Sequence, residues 1–101
     1  MSFRVVHDAA ATMEFREAVA WYEVESEGLG LRFVLEVQAV MEAISSHPLF
    51  FSKAGRKSRK ARVINWPYTI YFVVIEAHQE VKVTAVWHGA RDPADLQKRL
   101  K

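Results

Sequence analysis

Between Ser45 and Pro48 the hydrophobic rhythm of this chain changes, and that change limits the fold more than any other feature. Upstream, apolar residues recur every three or four positions, as on helices. Downstream, they come in short β-branched and aromatic runs that suit strands. From Ala9 to about Glu25 the apolar positions Ala11, Phe15, Ala18, Val19 and Tyr22 form one helical stripe. Asp8 is placed to cap that helix, and Glu14, Glu17, Glu23 and Glu25 lie mostly off the stripe, where water would solvate them. Ser26-Glu27-Gly28-Leu29-Gly30 breaks the pattern, since two closely spaced glycines mark a helix end and turn. A second helix begins at Leu29 or Leu31 and carries Phe33, Val34, Val37, Val40, Met41 and Ile44 before Pro48 ends it. Two helices of this length, each about 20–25 Å long, form an antiparallel hairpin whose apolar face must be covered.

The cover comes from the second half. Leu49-Phe50-Phe51 leads into a basic loop, Lys53 to Lys60. Ala61 to Asn65 is a short strand candidate, Trp66-Pro67 is punctuation, and Tyr68 to Ile75 reads as a strand. Glu76 to Glu80 is a connector of hairpin length. Val81, Val83, Ala85 and Trp87 then alternate with Lys82, Thr84 and Val86, and Gly89 stops the strand. Asp92-Pro93 opens a final short helix, Pro93 to Leu100. Phe3 to His7 supplies a first strand. The expectation is an α+β fold in a single domain, residues 1–101: an N-terminal strand, an antiparallel helical hairpin packed on one face of a small, mostly antiparallel sheet, and a short C-terminal helix. The other face of the sheet stays open.

Charge is divided between the halves. Residues 1–50 carry 3 basic and 8 acidic side chains, residues 51–101 carry 11 and 4. Six cations and no acid lie between Lys53 and Arg62. Such polarity suggests a positive face that meets an anion, although a basic loop also simply keeps a small protein soluble. Cysteine is absent, which excludes disulfides, thiolate metal sites and thiol nucleophiles. The longest apolar run, Ile70 to Ile75, is six residues, far below the roughly 20 that a membrane helix needs. With no export signal at the N-terminus, a cytoplasmic location is expected.

Ala18-Val19-Ala20-Trp21-Tyr22, Gly28-Leu29-Gly30, Phe33, Glu36-Val37 and Pro48 are followed by Arg62, Trp66-Pro67-Tyr68-Thr69-Ile70-Tyr71, Ala85-Val86-Trp87-His88 and Arg91-Asp92-Pro93. In this order the pieces resemble the RelE/ParE toxin superfamily, from about Phe3 to Leu96. The resemblance implies the toxin of a bacterial type II toxin–antitoxin (plasmid stabilisation) module. It implies a cognate antitoxin as partner, through which the toxin could oligomerise, and a target that is either DNA gyrase or the ribosome and its mRNA. It implies no cofactor and no metal. The ribonuclease branch carries a functional tyrosine near the C-terminus; the last tyrosine here is Tyr71. The segment from His88 to Pro93 is closer to the ParE-like branch, which binds gyrase and needs no hydrolytic chemistry.

Metal-free RNA cleavage would need a base, cations on the scissile phosphate and an acid. His88, with Arg62 and Arg91 as a phosphate clamp, would be the catalytic set if this chain followed that branch. Lys53, Arg56, Lys57, Arg59 and Lys60 are candidate binding residues, with Tyr68 available to stack on a base. The duller readings stand beside these. His88 could hydrogen-bond the turn that follows it, Arg91 could pair with an acid, Arg62 could face solvent or the antitoxin, and Trp87 could belong to the core. An antitoxin contacting this chain is expected to bring acidic and apolar side chains, and a family member that binds its antitoxin without being toxic is a third functional reading.

Overall fold

The computed structural model describes residues 2–101. The elements run β1 (Arg4–His7), α1 (Ala9–Glu25), α2 (Leu29–Ser46), β2 (Ser52–Lys53), β3 (Ser58–Val63), β4 (Tyr68–Ile75), β5 (Glu80–His88) and α3 (Pro93–Leu100). The strands form one sheet in the order β1-β5-β4-β3-β2. From β2 to β5 consecutive strands pair antiparallel, while β1 lies parallel to β5, Val5 opposite Val81. Between these parallel neighbours the chain lays the helical hairpin across one face and then builds β2, β3 and β4 within the sheet itself, so the connection is long, as parallel pairing requires. The expected fold class therefore holds.

Local chemistry sets the helix boundaries. The Asp8 carboxylate accepts the Ala11 N–H at 2.9 Å and starts α1. Gly28 sits in the left-handed region (φ 85°) between the helices, a conformation that costs glycine little. The Glu23 carboxylate, exposed as its place off the stripe suggested, reaches forward to accept the N–H groups of Gly28 (2.9 Å) and Gly30 (3.0 Å) and so caps α2. Gly30 is also where the helices close up. A Cβ there would lie 2.9 Å from the Val19 carbonyl oxygen.

The core lies between the hairpin and the sheet. Phe33 is fully buried, with Phe15, Tyr22, Trp66 and Tyr68 around it at ring separations of 5.1–6.0 Å. Ala61, Val63, Ile70, Phe72, Val81 and Val83 supply the sheet side.

Three expectations need correction. The basic stretch is a hairpin rather than a loop: β2 pairs with β3, and β3 begins at Ser58 and ends at Val63, with Ile64 and Asn65 in the following turn. The alternation Val81-Val83-Ala85-Trp87 does not stay on one face. Between Tyr71/Ala85 and Phe72/Val83 the register shifts, so Thr84 is an extra residue on β5. Val81 and Val83 face the helices, but Trp87 lies opposite Thr69, away from Tyr68 and the hairpin. Finally, the far face of the sheet is only partly open. Ala85 and Trp87 are buried there, α3 packs against β5, and the Arg91 guanidinium lies 3.6 Å over the Trp87 ring.

Candidate functional site

Beyond Val83, β5 has no strand on its outer edge, because β1 pairs only as far as His7. Side chains occupy that edge instead. The Glu14 carboxylate of α1 accepts the Val86 N–H at 3.0 Å, and the Arg99 guanidinium of α3 donates to the Thr84 carbonyl at 3.1 Å. Glu14 also binds Arg91 at 2.6 Å and Arg99 at 2.9 Å. One carboxylate thus joins α1, β5, the segment after β5 and α3. Its side chain is 12% exposed, against 41% for Arg91 and 26% for Arg99. Burial pushes its pKa up. The hydrogen bonds from Arg99, Arg91 and the Val86 N–H outweigh that and hold it below the ordinary carboxylate value. This pairing also shields a strand edge that would otherwise recruit another chain.

Beside this hub a cavity of about 550 Å³ opens between α1 and the end of β5, walled by Met13, Glu17, Trp21, Tyr68, His88 and Arg91. Trp21 and Met13 are more than half exposed. His88 stands edge-on to Tyr68 at 5.1 Å, and its Nδ1 accepts the Ala90 N–H at 3.0 Å. In the neutral ring that acceptor role places the proton on Nε2. His88 therefore presents a donor to its surroundings rather than the lone pair of a base.

The residues singled out from the sequence fall into separate groups. Arg91 and His88 share the cavity. Arg62 does not join them: it pairs in register with Thr69, next to Trp87, on the far face of the sheet, because Ala61 and Val63 take the helix-facing positions of β3. Lys60 shares that far face, opposite Tyr71. Arg59 alternates to the other side and donates to the carbonyls of Phe51 (2.7 Å) and Leu49 (3.3 Å), holding the entry to β2. Lys53, Arg56 and Lys57 are exposed on the β2–β3 hairpin, with no carboxylate within ion-pair distance among the described residues. Tyr68 is half-buried and shows one part of its ring to the cavity. It packs between Tyr22, Phe33 and His88, and burial, above all, raises its pKa.

Glu14, expected from the sequence on a solvated helix face, is instead largely buried by its two arginines, and Arg99 was given no role. Their partners lie 85 positions apart, so no local spacing marks them; the one hint is that Glu14 borders the apolar stripe between Ala11 and Ala18. Among the described residues no cluster of three or more His, Asp or Glu side chains could hold a metal, and no helix is long and apolar enough to cross a membrane.

Comparison with known proteins agrees with this architecture. The toxin–antitoxin complex RelBE2 of Mycobacterium tuberculosis contains a chain that aligns with a TM-score of 0.64 at 16% identity, covering 87% of this chain and 99% of that one. The isolated RelE toxin of Escherichia coli aligns at 0.59 and 19% identity over 99% of this chain and 100% of that one. A doubly substituted E. coli RelE in complex with a peptide of its antitoxin RelB aligns at 0.57 and 20% identity, over 100% and 97%. Likeness at this identity establishes the fold. No sequence among curated proteins matches significantly. The family profile described as the ParE toxin of the type II toxin–antitoxin system parDE matches residues 5–93. Nearly the whole chain is spanned, and the chain belongs to the ParE family of type II toxins, within the RelE/ParE superfamily.

Proposed function

We infer that this protein is a type II toxin that acts by binding, as an inhibitor of DNA gyrase, and that a cognate antitoxin neutralises it. The observation that carries the reading is the state of the groups at the end of β5. Cleavage of RNA without a metal requires a free base and uncommitted cations within reach of one phosphate. Here His88 spends Nδ1 on the Ala90 N–H, Arg91 is stacked on Trp87 and paired with Glu14, and Arg62 stands across the sheet. The match to the ParE profile supports the same branch. An antitoxin partner is supported by two of the structural relatives, which are complexes with RelB-type antitoxins.

The test is direct. Purified protein should stall gyrase supercoiling of relaxed plasmid, and His88→Ala should retain that inhibition and growth arrest within about threefold. Ribosome-dependent cuts in translated mRNA, lost by about 100-fold or more in His88→Ala, would overturn the reading in favour of general acid–base catalysis. Expression of folded, antitoxin-free protein without growth arrest would overturn it in favour of a binding-only family member.

A further inference from the structure

A second cavity, of about 450 Å³, lies between β1, α1 and α2 and shares with the first cavity only Val86 of β5. Its walls are Val5, Phe15, Val34, Val37 and Met41, and Val86 forms its floor. Of the polar side chains that line it, Thr12 donates its hydroxyl to the Asp8 carbonyl, which leaves three others: His7 at the end of β1, Arg16 on α1 and Gln38 on α2. All three are exposed and none has a side-chain hydrogen bond or ion pair among the described residues. The size and composition are those of a small-molecule site, an apolar chamber with a few polar groups that orient what enters.

Charge decides the kind of ligand. The segment from Asp8 to Ser46 carries eight acidic side chains and two cations, Arg16 and Arg32. One of those two stands at this rim without a counter-ion. A guanidinium beside an apolar chamber is matched by an anionic head joined to an apolar body. Arg can take a carboxylate by two parallel hydrogen bonds, with His7 and Gln38 as further donors. The apolar body displaces water from the valine and phenylalanine walls. Side chains of β1, α1, α2 and β5 all line the chamber, so a short apolar chain placed there meets four elements at once. We propose that this cavity binds a small amphiphilic carboxylate, its hydrocarbon part held by Val34, Val37 and Met41 and its head by Arg16.

Decanoate, below its micelle concentration, is the probe, and 1-decanol is its uncharged counterpart. Titration of the full chain, followed by methyl NMR, should give saturable shifts confined to Val5, Val34, Val37, Met41 and Val86. Arg16→Glu should weaken decanoate about tenfold or more and leave decanol within about twofold. Val34→Phe, which fills the chamber, should abolish binding of both. Because that variant could also disturb packing, its melting temperature and gyrase inhibition are measured alongside, and both should stay near wild type. Shifts scattered over the exposed apolar surface, or no saturation, would overturn the proposal. So would an Arg16→Glu variant that binds decanoate as well as wild type. The outcome does not depend on the toxin's target, so failure here leaves the gyrase reading intact.

Discussion

Replacing Glu14 by alanine tests whether a single carboxylate holds the C-terminal helix to the body. Three interactions go at once. The half-buried Arg99 pair is worth about 1.5 kcal/mol as a charge-assisted, two-point contact. The Arg91 pair is worth about 0.5 kcal/mol, because its guanidinium is 41% exposed and screened by water. The Val86 N–H loses its acceptor at about 1 kcal/mol. The expected loss is about 3 kcal/mol, or roughly 12–24 °C in melting temperature for a domain of this size. Urea unfolding at neutral pH measures it, with Glu17→Ala as control. Glu17 is on the same helix and the same cavity wall and should change stability by less than about 0.5 kcal/mol. A double-mutant cycle with Arg99→Ala should return a coupling of about 1 kcal/mol or more. A Glu14→Ala loss below about 1 kcal/mol, or additivity with Arg99→Ala, would refute the hub. Amide exchange adds a positional check: protection at Val86 should fall in the variant while that of Phe72 holds.

Acid should unfold the protein partly through the same group. The folded Glu14 pKa lies below its ordinary 4.5, so its contribution is present above that value and is lost as pH falls through the lower folded value. Melting temperatures from neutrality to about pH 2 should drop less steeply in Glu14→Gln than in wild type, and parallel curves would argue against this. Gly30→Ala should cost about 1–3 kcal/mol by thermal melt, since its Cβ would press on the Val19 carbonyl and Glu23. Arg59→Ala should destabilise by about 1–2 kcal/mol through the lost carbonyl contacts, while Arg56→Ala and Lys57→Ala should stay within about 0.5 kcal/mol in the same melts. Association with the antitoxin should slow when Lys60 and Arg62 are changed to glutamate, and the wild-type rate should fall with added salt; a salt-independent rate would remove the electrostatic part.

The helical hairpin was legible because its apolar residues repeat at helical spacing and its ends carry their own punctuation in Asp8, Gly28 and Pro48. The strands were legible as runs of β-branched and aromatic residues. The bulge was not: Ala85 and Val86 are both apolar, so a one-residue shift after Thr84 leaves the pattern looking regular while moving Trp87 to the other face. The short β2 carries only Ser52 and Lys53, with no hydrophobic signal to announce a strand. The basic residues near β3 were recognisable as a group, but their division between faces depends on which of Ala61 and Arg62 faces the helices. The Glu14 hub was hidden for a different reason. It is made of residues from three distant elements, and only the folded chain shows that one acid serves two arginines and a backbone amide.

The parallel pairing of β1 with β5 has a consequence in time. Residues 4–7 are synthesised first, yet their sheet neighbours, residues 80–83, leave the ribosome only when most of the chain has been made. Closing that long circuit is slow relative to forming the helical hairpin. Until β5 follows, the first strand waits without its neighbour and the sheet stays unfinished on that side.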